Sequence, residues 1–178
     1  MATYRATIDW SLKDGEDFAG GRYSRGHTVS FAEHVVPATA SKHIVGKWAA
    51  PGAVDPEEML VASLSNCHML TFLHVARLKG FVVTRYRDAA EGVLEKNAEG
   101  RMAVTRVTLR PGITYAGRRP TDAERDQMHH EAHEECFIAN SVKTAVVVEE
   151  VAGGSDLTSD PRACHPGFAE RRPGPTST

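Results

Sequence analysis

The residues of this sequence best suited to redox chemistry are three cysteines, Cys67, Cys136 and Cys164. A cysteine thiolate is a nucleophile and a metal ligand, and polar or charged neighbours help the thiol to ionise. Cys67 is flanked by Asn66 and His68, so part of its surroundings is polar. The alternative is a packing role in the core, because free cysteine is among the most buried residue types. Both interpretations of Cys67 stay open on the residues alone.

Cys136 lies at the end of a second predicted helix and has two possible roles. It either packs at the helix end or acts as a resolving thiol that a rigid fold brings beside Cys67. The sequence does not give the distance between the two side chains. Three cysteines are too few and too scattered for the disulfide framework of a small secreted protein. They are therefore expected to be catalytic, metal-binding or inert thiols in a reducing compartment.

A second group of residues has the spacing of metal ligands. His129, His133 and Cys136 occur at i, i+4 and i+7 of one predicted helix face, and His130 and Glu134 form another i, i+4 pair. Such spacing can chelate zinc or a related metal. The pattern is not the HExxH protease motif, and a helix rich in His and Glu is more often a solvated surface. A metal-binding protein is therefore an alternative function.

Arginine and glutamate residues could complete a thiol site. A thiolate in a mostly apolar pocket needs a cation or a helix dipole to lower its pKa, and arginine is always charged. Arg22 and Arg25, on a predicted early hairpin, are the candidates. Glu57 lies at the start of the helix that carries Cys67 and could hold such an arginine through a bidentate pair. The alternative for all three is an ordinary surface charge.

The first cysteine lies within a long apolar helix predicted over 59–78, MLVASLSNCHMLTFLHVARL. Asp55 can cap this helix, Pro56 suits its first turn and Gly80 is its expected stop. A transmembrane helix needs about 20 predominantly apolar residues, whereas polar side chains interrupt this segment repeatedly. We therefore expect a central, buried helix and no membrane span.

Periodicity and turn signals predict the other elements. Residues 122–135 should form a helix, because Thr121 and Glu124 give the capping-box pattern. The segments with strand-like alternation or β-branched residues are 4–10, 28–36, 81–90, 90–95, 104–111 and 142–148. The first two are expected to pair as a hairpin.

Length and composition narrow the classes of function. The chain has 178 residues, of which 41% are hydrophobic and 25% charged, with a formal net charge of -2. These values are typical of one soluble domain without the basic excess that nucleic-acid binding needs. The first residues lack the pattern of a secretory signal, so we expect a cytoplasmic protein. Residues 1–151 should form the domain, and 152–178, rich in Gly, Pro, Ser and Thr, a flexible C-terminal tail.

Two segments resemble the OsmC/Ohr family of organic hydroperoxide reductases. DPEEML at 55–60, followed by ASLSNCH at 62–68, is similar to the family's Pro-Glu segment and first cysteine. HEECFIANSV at 133–142 is similar to its second cysteine segment, and the resemblance covers 4–150 in order. It implies an α+β fold with curved antiparallel sheets around a long buried central helix. It also implies an intertwined homodimer with active sites at the interface.

The resemblance further assigns roles to individual residues. Cys67 would be the peroxidatic nucleophile, Cys136 the resolving cysteine, Glu57 the carboxylate that positions an arginine, and Arg25, or else Arg22, that arginine. Cys67 would reduce an organic hydroperoxide to an alcohol and become a sulfenic acid, which Cys136 would convert to a disulfide. A thiol or dithiol reductant would reset the pair. No metal and no organic cofactor is implied.

Two further features of the sequence bear on the substrate. Leu64, Met69, Leu70 and Leu73 surround the first cysteine along the helix and would favour alkyl or fatty-acid hydroperoxides. Phe137 follows the second cysteine, where the best-characterised peroxidases of the family usually have proline. Beside the metal-binding protein, a non-catalytic dimer that binds a small molecule therefore remains an alternative.

Overall fold

Eight strands and three α-helices make up residues 1–151, the part of the chain that this computed structural model describes. The strands are β1 (Thr7–Asp9), β2 (His27–Phe31), β3 (His34–Ala38), β4 (Val82–Asp88), β5 (Glu91–Lys96), β6 (Met102–Leu109), β7 (Pro111–Ala116) and β8 (Ala145–Val148). The helices are α1 (Lys42–Val45), α2 (Pro56–Leu78) and α3 (Asp122–Glu134), with 3-10 turns at Gly46–Trp48 and Ala139–Ser141. The α+β class is therefore confirmed. Residues 152–178, with Cys164 and the predicted flexible tail, lie outside the described residues.

Both long helices begin at capping boxes. At α2, the Glu58 amide donates to the Asp55 carboxylate at 2.8 Å, and the Asp55 amide donates to the Glu58 carboxylate at 3.0 Å. At α3, the Glu124 amide donates to Thr121 Oγ1 at 3.3 Å, and the Thr121 amide donates to the Glu124 carboxylate at 2.8 Å. Gly80, with φ of 78°, follows the end of α2. The predicted starts of both helices are therefore confirmed.

The strands form three small sheets. β1, β2 and β3 pair antiparallel in that order, and β4 pairs antiparallel with β7. The third sheet has the order β5-β6-β8, in which β8 runs parallel to β6. A parallel pair needs a long crossover, and the connection from β6 to β8 contains α3. The predicted hairpin of β1 and β2 is confirmed, with Ile8 opposite Val29.

Two strands differ from the sequence prediction. The single strand expected over 28–36 is divided into β2 and β3 by a turn, where Ala32 adopts a φ of 50°. β7 was not predicted, because Pro111 followed by Gly112 is typical of a break in structure. Here Pro111 is the first residue of the strand, a position that tolerates the missing amide donor.

One face of α2 packs against two hydrophobic cores. The first core joins α2, α3 and the β4–β7 sheet, and its buried members are Phe72, Val75, Ala76, Phe81, Ile113, Met128 and Ala132. The second core joins α2 to β6 through Leu64, Val107 and Leu109. The buried side chains of α2 recur every three or four residues, as the helical period requires. The β4–β7 sheet, the β5-β6-β8 sheet and α3 therefore cover the same side of α2.

The opposite face of α2 is exposed within residues 1–151. Ala62, Asn66 and Leu70 lie on this face at intervals of four, and Leu70 is 57% exposed. The helix was expected to be buried, yet only 28% of its most apolar stretch is buried by the rest of the described chain. By length and composition α2 could also cross a membrane, a test that core helices of soluble proteins pass as well.

The β1–β3 sheet is similarly separate from the rest of the described fold. Neither hydrophobic core includes a residue of this sheet. Its side chains Ile8, Phe31 and Val35 are exposed by 64%, 45% and 62%. The described chain thus presents two apolar surfaces, the outer face of α2 and this sheet.

Candidate active site

Cys67 and Cys136 are neighbours in the fold. Cys67 lies in the middle of α2 and is half-buried, whereas Cys136 follows the end of α3 and is fully buried. Their side chains are hydrogen-bonding neighbours, in the direction that stabilises the protonated Cys136 thiol. The packing of α3 against α2 produces this contact between residues far apart in the sequence.

The surroundings of Cys136 favour its protonated form. Burial raises the pKa of the Cys136 thiol, and the hydrogen bond to Cys67 raises it further. The Ala139 amide donates to the Cys136 sulfur at 3.4 Å, which partly opposes this effect. The half-buried Cys67 can meet a ligand more easily than the buried Cys136. The arrangement therefore distinguishes an accessible sulfur from a shielded one.

Glu57 lies in the first turn of α2 and has an unsatisfied carboxylate. Its Oε2 atom is buried and has no hydrogen-bond partner within residues 1–151. The side chain lines a groove of about 1140 Å³ beside α2, which Ser65, Met69, Leu94 and Val104 also line. A buried carboxylate without a partner is strongly disfavoured. Within residues 1–151, no side chain of the groove donates to this Glu57 oxygen.

Arg25 and Arg22 are in different situations. The Arg25 guanidinium lies 3.5 Å from the centre of the Tyr23 ring, and its Nη1 donates to the Tyr23 carbonyl at 2.6 Å. No carboxylate in residues 1–151 forms a salt bridge with it, although it borders a cavity of about 460 Å³ that Pro56 also lines. Arg22 instead forms an exposed ion pair with Asp17. Arg25 is thus the arginine that remains available to another carboxylate.

Within this one chain the four predicted site residues do not form a single cluster. Cys67 and Cys136 touch each other, and Arg25 lies near the start of α2, where Glu57 is also found. Glu57 precedes Cys67 by ten positions on the same helix. At the helical rise this spacing corresponds to about 15 Å along the axis. Residues 1–151 of one chain therefore supply two parts of the site at separate places.

The apolar residues expected around Cys67 also divide into two groups. Leu64 is fully buried in the second core, so it is not available to a ligand. Met69 lines the groove beside α2, and Leu70 is exposed. An apolar ligand at Cys67 would therefore contact the outer face of α2 and not Leu64.

A buried histidine network next to this site was not predicted. His68 Nε2 lies 3.0 Å from His129 Nδ1, and His129 Nε2 lies 3.0 Å from Glu150 Oε2. Because the Glu150 carboxylate can only accept, His129 carries its proton on Nε2, and His68 Nε2 then donates to His129 Nδ1. This leaves His68 Nδ1 as a buried acceptor without a partner in residues 1–151.

The network also fixes the charge of His68. The pKa of His68 is lowered to about 4, mainly by burial and to a smaller extent by the neighbouring His129 and His133. His68 is therefore neutral at pH 7. Its position next to Cys67 was visible in the sequence, but no sequence pattern connects it with a histidine on another helix.

The metal-ligand alternative finds little geometric support. His129, one of the three suggested ligands, already uses both ring nitrogens in hydrogen bonds. In the region 1–151, no group of three or more His, Cys, Asp or Glu side chains has an arrangement that could hold a metal ion. His130 pairs with Glu134 at the surface, at 3.3 Å.

Comparisons with known proteins agree with this architecture. The family described as OsmC-like protein matches residues 49–151, more than half of the chain. An OsmC-like protein of unknown function from Vibrio cholerae O1 biovar eltor str. N16961 shares 45% sequence identity and a TM-score of 0.82, covering 85% of this chain and 100% of that chain. No curated protein sequence matches this chain.

More distant structures share the fold. The organic hydroperoxide resistance protein OhrB of Bacillus subtilis has 14% identity and a TM-score of 0.62, covering 84% of this chain and 98% of that chain. The organic hydroperoxide resistance protein OsmC from Legionella pneumophila has 19% identity and a TM-score of 0.60, covering 86% and 99%. At such identities the similarity extends to the fold alone.

Proposed function

Because this chain belongs to the OsmC-like protein family, we propose that it is a thiol-dependent peroxidase that reduces organic hydroperoxides to alcohols. The observation that carries the proposal is the contact between the half-buried Cys67 and the buried Cys136. Two neighbouring thiols can be oxidised to a disulfide when their Cα and Cβ atoms have the geometry that the bond requires. The names of the Bacillus subtilis and Legionella pneumophila proteins support the choice of organic hydroperoxides as substrates.

The reaction follows from the two sulfur environments. The Cys67 thiolate attacks the distal oxygen of the hydroperoxide, the O–O bond breaks, and the departing alkoxide takes up a proton to become the alcohol. Cys67 is then a sulfenic acid. Cys136, once deprotonated, attacks the Cys67 sulfur, so that an S–S bond forms and water leaves. The two electrons gained by the hydroperoxide come from the thiol pair, and a thiol or dithiol reductant restores both thiols.

The division of roles rests on burial. A nucleophile for an external substrate must be accessible, which fits the half-buried Cys67. Cys136 is shielded and its pKa is raised by burial, so it stays protonated until a sulfenic acid forms beside it. Met69 and Leu70, on the outer side of α2, favour a substrate with an apolar substituent.

We further propose a homodimer in which each active site uses both copies. The outer face of α2 and the β1–β3 sheet expose apolar side chains that a second copy could cover. Glu57 has a carboxylate oxygen without a partner, and Arg25 forms no salt bridge within residues 1–151. These two charged groups are the ones that a second copy would bring into the site. If two copies of α2 cross antiparallel near Ala62, midway between Glu57 and Cys67, then Glu57 of one copy lies beside Cys67 of the other.

Such a crossing explains how the separate parts meet. Ala62 is small and exposed, which permits a close approach of the two helices. Arg25 borders the start of α2, where Glu57 lies, and would pair with Glu57 there and bring its charge to the thiolate. We place the protein in the cytoplasm, where thiol reductants keep such a pair reduced. Neither nucleic acid nor a membrane has a role in this proposal.

The proposal is tested by stopped-flow oxidation of the reduced protein with cumene hydroperoxide. Wild type should lose two thiols per chain rapidly, Cys67→Ser should not react, and Cys136→Ser should stop at a sulfenic acid that a dimedone probe traps. Persistence of both thiols in wild type would refute the peroxidase. Stoichiometric zinc in the purified protein would instead support the metal-binding alternative.

A further inference from the structure

An aromatic cluster lies close to the start of α2, on the side where Arg25 is found. Phe18 and Tyr23 stack with ring centroids 4.8 Å apart, and Trp10 meets Tyr23 edge-on at 5.5 Å and Phe18 at 6.0 Å. Trp10 is 38% exposed and Phe18 57% exposed, so this cluster is not a hydrophobic core. Because burial in a core does not explain why these three aromatic side chains pack together, the cluster must serve another purpose.

The cluster holds Arg25 by two contacts to the same residue. The guanidinium carbon lies 3.5 Å from the Tyr23 ring centre, and Nη1 donates to the Tyr23 carbonyl at 2.6 Å. The first contact is a cation–π interaction, which restricts the plane of the guanidinium. The second restricts its rotation within that plane. The Arg25 amide also donates to the Trp48 carbonyl at 2.8 Å, so the backbone position is fixed as well.

The backbone next to Tyr23 is itself anchored. Trp10 Nε1 donates to the Ser24 carbonyl at 3.0 Å, and the Ser24 amide donates to Glu16 Oε1 at 2.9 Å. The other Glu16 oxygen accepts from the Lys13 amide at 3.1 Å. Both the amide and the carbonyl of Ser24, between Tyr23 and Arg25, are therefore hydrogen-bonded. These hydrogen bonds fix the position of the Tyr23 ring relative to the Arg25 guanidinium.

We infer that Tyr23, supported by Trp10 and Phe18, is the positioning residue for Arg25; the inference rests on the proposed function. The ring covers one guanidinium face and the carbonyl uses one of five donors. The remaining donors are left for bidentate binding of a carboxylate such as Glu57. A guanidinium held in this way brings its charge to the Cys67 thiolate in one orientation instead of many.

The ring, and not the hydroxyl, carries this role. Within the described residues Tyr23 makes no hydrogen bond through its hydroxyl, while its ring contacts Arg25, Phe18 and Trp10. Tyr23→Phe should therefore keep the function, and Tyr23→Leu should lose it because leucine has no π face. Tyr4→Leu is the matched control, since Tyr4 is 90% exposed and precedes β1.

Two measurements test the inference. The first is the second-order rate of Cys67 oxidation by cumene hydroperoxide, which should fall about tenfold in Tyr23→Leu and change less than about twofold in Tyr23→Phe and Tyr4→Leu. The second is the pH dependence of Cys67 alkylation by iodoacetamide, in which the Tyr23→Leu midpoint should move to higher pH. Both effects of Tyr23→Leu should vanish in an Arg25→Ala background, because Tyr23 acts through Arg25.

The outcomes distinguish the role of Tyr23 from the peroxidase activity of the protein. Wild-type rates and midpoints in Tyr23→Leu, an equal loss in Tyr23→Phe, or a Tyr23→Leu effect that persists without Arg25 would overturn the role of Tyr23. Circular dichroism of each variant separates these outcomes from misfolding, and Tyr23→Phe keeps the comparison valid if Tyr23→Leu fails to fold. The alkylation series needs no hydroperoxide. A wild type inert to hydroperoxide but with the coupled alkylation shift would therefore reject the peroxidase and retain the role of Tyr23.

Discussion

The buried His68 makes a specific prediction about stability and pH. Burial lowers the pKa of His68 from its ordinary value of 6.5 to about 4, with His129 and His133 contributing. As the pH falls, the unfolded chain therefore takes up a proton on this residue before the folded chain does. The stability contributed by neutral His68 is complete above pH 6.5 and is lost progressively between pH 6.5 and about 4.

The size of this loss follows from the pKa difference. One unit corresponds to about 1.4 kcal/mol, so lowering the pH from 7 to 5 should remove about 2 kcal/mol from the free energy of unfolding through His68 alone. His68→Gln abolishes the titration and keeps an amide that can donate to His129 Nδ1. The matched control is His74→Gln, which removes an exposed histidine from the same helix.

The assay is urea unfolding at pH 7, 6 and 5, at a fixed protein concentration because a dimer would make the midpoint depend on it. Wild type and His74→Gln should each lose about 2 kcal/mol more than His68→Gln between pH 7 and 5. Histidines and carboxylates that do not interact with His68 titrate alike in wild type and His68→Gln, so they cancel in the comparison; His129 and His133 do interact with His68 and are changed together with it. Equal pH dependence of wild type and His68→Gln would refute the reasoning.

Three further substitutions test other parts of the account. Glu57→Gln should slow Cys67 oxidation by hydroperoxide about tenfold, because an amide holds an arginine less firmly than a carboxylate does; stopped-flow rates check this, and the exposed Glu99→Gln should match wild type. Leu70→Lys, on the outer face of α2, should reduce the mass measured by light scattering to that of one chain, whereas Leu78→Lys, also exposed, should not; a dimeric Leu70→Lys would count against the proposed crossing. Asp55→Ala removes the cap of α2 and should lower the free energy of unfolding by about 1 kcal/mol in urea titration; no change would mean that the cap is not stabilising.

The helices were predictable because their signals are local. Asp55 with Pro56 and Thr121 with Glu124 stand next to the turns that they stabilise, and both helices begin where those residues indicate. The divided strand over 28–36 depended on one backbone angle at Ala32, a residue whose type gives no warning of a positive φ. A sequence pattern cannot report such an angle unless glycine, asparagine or aspartate occupies the position.

The site was predictable only in part, because its contacts are long-range. The resemblance paired Cys67 with Cys136, and the packing of α3 on α2 brings these thiols together. The hydrogen bond between His68 and His129 depends on the same packing, and the spacing on α3 suggested a metal instead. Periodicity identified one helix face at a time. It could not specify which side chains on two facing helices would meet.

The separation of Glu57 from Cys67 argues that one chain cannot complete the proposed site by moving. Both residues lie on α2, a continuous helix of 23 residues that is capped at its start and packed against two cores along one face. Bending such a helix enough to close about 15 Å would break its backbone hydrogen bonds and expose those cores. In the proposed site, the carboxylate that holds the arginine near the thiolate would therefore come from another copy. The proposed homodimer would account for both the unpaired Glu57 oxygen and the exposed face of α2.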